Sequence, residues 1–168
     1  MILDLDRIPL FAPNRFDFHD FLMGTAKDGK LRYYDEFFRY TDRQLERYHD
    51  YIQYMFPTDR KSKYELAPTV SVQDARCWGQ EEPIVRNMRK AYKRMKQFYS
   101  DSERWITPNN HNYRRISRML RSMRMFSLNN EADDFFSFVS DIYEKNESII
   151  GSKTYEYWIK NNENNEGK

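Results

Sequence analysis

The chain has 168 residues, enough for one domain with a real core, and a net charge of only +2. Hydrophobic residues make up 39%, but 12 Phe, 13 Tyr and 3 Trp supply large buried areas, so a folded aromatic-rich domain is expected rather than disorder. A single cysteine, Cys77, excludes an internal disulfide scaffold, and no apolar run reaches the roughly 18 residues that a membrane helix needs. The acids in "MILDLDRIPLF" do not suit a signal peptide. With that lone cysteine they point to a soluble cytoplasmic protein.

The first dozen residues, with Pro9 and Pro13, suggest an extended arm over 1–15. "RFDFHDFLMG" predicts a short helix closed by Gly24, and "TAKDGK" a turn-rich loop. "LRYYDEFF" predicts a second short helix with Tyr33, Tyr34, Phe37 and Phe38 on its apolar side. Thr41 and Gln44 form a T-x-x-Q capping box. Leu45, Tyr48, Ile52, Met55 and Phe56 follow at helical spacing, so one helix is expected from Thr41 to the stop at Phe56-Pro57. His49 and Gln53 sit one turn apart on the border of that stripe, and Tyr48 is expected to turn inward.

A loop-like stretch with a short helix capped by Ser71 leads to Pro83, which suits a first helical position. From there Ile84, Met88, Ala91, Tyr92, Met95, Phe98 and Tyr99 trace an amphipathic helix with a basic back. "ITPNNHNY" opens another helix with an asparagine N-cap. Its core face is Ile116, Met119, Leu120 and Met123, with Arg114, Arg118 and Arg121 on the far side and Arg115 and Arg124 at the margins. Asn112 falls on the apolar side, unusual for an amide. A helix capped by Asn130 carries Ala132, Phe135, Phe136, Val139, Ile142 and Tyr143 as its apolar stripe. A last one begins near Ser152 and carries Tyr155, Trp158 and Ile159, and 161–168 form a polar tail. The fold expected is all-α: an irregular single-domain bundle of about five to seven helices, over 16–160.

"LERYHDYIQYMFPT" and "HNYRRISRMLRSMRMFSL" resemble the two signature blocks of the opioid growth factor receptor conserved-domain family. "ELAPTV", "RMKQFY" and the upstream "DFLMGTAKDGKLRYYDEFFRYTDRQLE" follow in the order of its compact bacterial or viral-type members. The resemblance spans Asp17 to Tyr143, with Tyr54-Met55 where the family usually carries tryptophan-leucine. It implies the helical fold and, less directly, a receptor-like role, since the animal protein is described as a receptor for Met-enkephalin.

Two sites follow. One is a peptide or small-molecule pocket between the two motif helices, with His49, Gln53 and Asn112 orienting the ligand and Tyr48, Tyr54 and Phe56 giving apolar contact. The competing reading has His49 and Gln53 hydrogen-bonding neighbouring helices. The other site rests on charge: from Arg86 to Arg124 there are 12 lysines and arginines against 2 acids. Lys93, Arg114, Arg115, Arg118 and Arg121 are the candidate ligands for an anionic nucleotide, nucleic acid or acidic protein, if the two basic helices lie side by side. Catalysis is not expected. His19, His49 and His111 lack metal spacing with each other or with Cys77, and no nucleophile–base pair or cofactor motif can be drawn.

Overall fold

The computed structural model describes residues 15–63 and 67–163, with side chains from Phe18 onward. The expected arm, up to residue 14, and the end of the tail, from 164, lie outside the described residues. The helices are α1 Arg15–Met23, a 3-10 helix Tyr34–Arg39, α2 Asp42–Arg47, α3 Ile52–Met55 and α4 Val72–Trp78. They continue as α5 Glu82–Asp101, α6 Asn112–Met125, α7 Asn129–Lys145, α8 Glu147–Ile150 and α9 Ser152–Asn162. The class is all-α, with no strand among the described residues, but the elements number ten rather than five to seven.

The long helices follow their apolar stripes. All seven stripe residues of α5, Ile84 to Tyr99, are buried, with Pro83 in the first turn. Ser71 caps α4 by accepting the Asp74 amide at 3.0 Å. In α6 Ile116, Met119, Leu120 and Met123 are fully buried, and this helix packs against α9, α7 and α4. α5 packs against α1, the 3-10 helix and α7, so α7 ties the two halves of the bundle together. The approach of α4 to the end of α6 is close: a Cβ on Gly79 would lie 2.2 Å from the Phe126 carbonyl oxygen.

Buried aromatics with polar tips anchor the backbone. Tyr34 donates to Met55 O (2.8 Å), Trp105 Nε1 to Tyr99 O (3.2 Å) and Trp158 Nε1 to Tyr113 O (3.0 Å). Trp158 is fully buried and clamps α9 onto α6.

Several boundaries differ from the sequence reading. Asn110, not an asparagine at the cap itself, accepts the Asn112 amide (2.9 Å), while His111 occupies the N-cap position. α7 begins at Asn129 after Leu128, ahead of the expected Asn130 cap, and α8 adds a turn that no periodicity marks. α9 runs on to Asn162, past the expected boundary at 160. Tyr33 and Ile159, placed on apolar stripes, are exposed.

The main correction concerns Thr41 to Phe56. The Thr41–Gln44 capping box forms, with Gln44 N to Thr41 Oγ1 at 3.2 Å and Thr41 N to Gln44 Oε1 at 2.9 Å. The helix it starts, however, ends at Arg47, and helical structure resumes only at Ile52. Its cause is a competitor for the carbonyls. In a continuous helix Leu45 O would accept from the His49 amide. Here it takes the Tyr51 hydroxyl (2.6 Å) and Arg115 Nη1 (2.7 Å), while Arg115 Nη2 takes Tyr48 O (2.7 Å). One guanidinium thus caps α2 and turns the chain, a use suited to a planar fork near a helix C-terminus.

Candidate functional site

The two motif segments are neighbours, joined along the length of α6. Arg115 holds Leu45 and Tyr48, Arg118 reaches Phe56 O and Thr58 Oγ1, and Ser122 donates to Pro57 O at 2.7 Å. Arg121 grips Asp59 with both Nε (2.7 Å) and Nη2 (2.8 Å), which holds that carboxyl below its usual range.

At the first turn of α6 this contact is a closed polar network. Asn112, with no exposed surface, uses both ends of its amide. Its Oδ1 accepts from Tyr99 (3.3 Å) and Arg115 Nη1 (3.2 Å); its Nδ2 donates to Glu46 Oε2 (3.0 Å) and Asn110 Oδ1 (3.0 Å). Arg115 is 5% exposed and its guanidinium also lies 5.2 Å from the centre of the Tyr51 ring. Burial pushes the Tyr51 and Tyr99 phenols up, so both remain donors. Glu46 also meets His111 Nε2 at 3.3 Å, and the His111 ring stands edge-on to His49 at 5.1 Å. Burial, then the charge of Arg115, lowers the His111 pKa from its ordinary 6.5.

The six residues assigned to a pocket between the motifs are therefore distributed as follows. Asn112 belongs to the closed network. Gln53 is buried and donates to His49 O (3.0 Å) and Ser62 Oγ (3.3 Å), with its Oε1 buried and unbonded; it does not meet Asn112. His49 is exposed beside His111, and Tyr48, expected to turn inward, is 43% exposed with its ring against Tyr40. Tyr54 and Phe56 are core residues, Tyr54 packing on Phe21. Neither of the two large concavities described is lined by any of these six.

The opposite side of α6 is different. A groove of about 860 Å³ runs between α6, α9 and the loops at 58–61 and 108–110. Arg114, Arg118 and Arg121 line it from α6, Arg60 and Lys61 from the first loop, and Lys153 from α9. No carboxylate lines it among the described residues. Arg118 is half-buried, burial lowers its pKa, and it has no carboxylate partner among the described residues. Its contacts to Phe56 O and Thr58 Oγ1, at 3.5 and 3.4 Å, are at the limit of hydrogen bonding. Pro108, Ile149 and Tyr157 make the remaining wall partly apolar.

Of the five cations assigned from charge, then, Arg114, Arg118 and Arg121 share one groove. Arg115 lies on the buried side of the helix. Lys93 is exposed on α5 and does not line the groove. Three of the six cations on the back of α5 are paired: Arg89 with Glu131, Arg94 with Asp42 and Lys96 with Asp134. Sequence reasoning missed Arg60, Lys61, Lys153 and Tyr157. Lys153 and Tyr157 are one turn apart and off the apolar stripe of the last helix, the one signal available.

Among the described residues no group of three or more His, Cys, Asp or Glu is arranged to hold a metal ion, and no helix is long and apolar enough to cross a membrane. No curated protein and no solved structure matches the chain. The model of the opioid growth factor receptor conserved region matches residues 27–166, which takes in both motif segments, α6 and the groove. The chain belongs to that family.

Proposed function

We propose that the protein is a non-catalytic binding module that captures an anionic, phosphate-bearing ligand in the groove between α6 and α9. The observation that carries this reading is Arg118. A guanidinium withdrawn partly from water, with no carboxylate partner and only long contacts among the described residues, is a costly arrangement that an incoming anion relieves. Arg114, Arg60, Lys61 and Lys153 surround it with further positive charge. Family membership supports the fold and leaves the ligand open, because ligand and fold are separable.

The competing reading, a peptide or small molecule held between the motif segments, has weaker support. The hydrogen-bonding groups it needs from Asn112 are already saturated by Glu46, Asn110, Tyr99 and Arg115.

Calorimetric titration of the full chain with inorganic tripolyphosphate at low ionic strength tests the proposal. Binding is expected to weaken as salt is added and to fall at least about tenfold in an Arg114→Gln/Arg118→Gln variant. Undetectable binding at low salt, or unchanged binding by the folded variant, overturns it.

A further inference from the structure

The groove has two chemically different walls, and their pairing narrows the ligand class. On α6, Arg114 and Arg118 are one turn apart, about 6 Å along the axis, close to the spacing of successive phosphates in an extended strand. Arg121 continues the row but is already gripped by Asp59. Across the groove Tyr157 projects from α9 with 52% of its surface exposed, and Ile149 beside it is 37% exposed. That places a half-exposed aromatic ring opposite a row of cations. Together the two supply what an unpaired strand needs, charge for the backbone and a flat face for a base.

The cations come from three elements, α6, the 58–61 loop and α9, and together offer more contacts than a single phosphate takes. A volume of about 860 Å³ also exceeds what one nucleotide fills. We propose that the groove takes a short segment of single-stranded nucleic acid, with its phosphates on Arg114 and Arg118 and a base stacked on Tyr157. The inference rests on the anion-binding reading of the same groove and adds the class of ligand.

The test is fluorescence anisotropy of the full chain with labelled oligothymidylate and oligouridylate of about twelve nucleotides, a length within the range one such site covers. Tripolyphosphate, a duplex of equal length and a poly-glutamate peptide serve as comparisons. At least one of the two strands is expected to bind, more tightly than the duplex or the peptide, with an affinity that falls as salt rises. Tyr157→Ala is expected to weaken strand binding about tenfold, the order of one lost stacked base. The same substitution should weaken tripolyphosphate binding much less than strand binding, and Tyr157→Phe should bind strand like the parent. Tripolyphosphate binding without strand binding overturns this inference and leaves the anion site standing. Loss of both overturns both. Equal binding of duplex or peptide, or a folded Tyr157→Ala variant that holds strand as well as the parent, also overturns it.

Discussion

Arg115 and Arg118 lie three residues apart on α6 and are put to opposite uses. Arg115 points inward, is almost completely buried, and satisfies two carbonyls, a tyrosine hydroxyl and an asparagine oxygen. Arg118 points toward a cationic groove and, among the described residues, makes only two long hydrogen-bonding contacts. The same residue type on one helix thus serves as a cap for a distant segment in one register and as an unmatched charge in the other. Saturation of hydrogen bonds, rather than charge, separates a residue that maintains the fold from one available to a ligand.

The largest expected effect blurs this contrast. Trp158 joins the groove wall to the helix that carries the network, and Trp158→Ala should cost about 4 kcal/mol in urea unfolding. It should also weaken tripolyphosphate binding, because α9 loses its clamp on α6. Arg115→Ala comes next, at about 3 kcal/mol, since it strips the Tyr48 carbonyl of its donor and Leu45 O of one of its two. Arg115→Lys should recover less than half of that, because an ammonium cannot reproduce the fork. Recovery in full would mean that charge alone matters there. Asn112→Ala should cost about 2 kcal/mol and leave tripolyphosphate affinity within twofold of the parent.

A smaller effect separates the two sides of α6 by pH. The folded state holds the His111 pKa below 6.5 through burial and the charge of Arg115, so folding favours the neutral ring. That contribution is complete above pH 6.5 and is lost as pH falls through the lower folded value. His19 works in the opposite sense. Burial lowers its pKa, but its bonds to Glu81 and Asp20 outweigh that and raise it, so its contribution is complete below 6.5 and is lost as pH rises through the folded value. Comparing the urea midpoints of the parent and His111→Gln as pH is lowered isolates the first effect: the parent should lose stability relative to the variant. His111 does not line the groove, so at any one pH the folded His111→Gln variant should bind tripolyphosphate within about twofold of the parent.

Much of the fold was legible because its causes are local. The seven buried positions of α5 are those its spacing marks, and Thr41–Gln44 and Ser71 cap as their residue types dictate. The break at Tyr48–Tyr51 was not legible. No glycine or proline stands there, and the cause is a guanidinium 67 residues away from Tyr48. Asn112 was visible as an anomaly on an apolar face, but its partners Glu46 and Tyr99 come from other helices, so the amide read as a site when it is a crosslink. The groove was half visible. The α6 arginines show in the sequence, whereas Tyr157 and Lys153 face them through tertiary contacts of α9, among them Trp158 to Tyr113 and Asn162 to Arg124.

The most direct test of this division is made on the Arg118→Gln protein, measuring urea stability and tripolyphosphate affinity on the same preparation. The expected result is a stability within about 0.5 kcal/mol of the parent and an affinity reduced by about tenfold, roughly one lost charge-assisted contact. A stability loss as large as that of Arg115→Ala, with affinity retained, would contradict it.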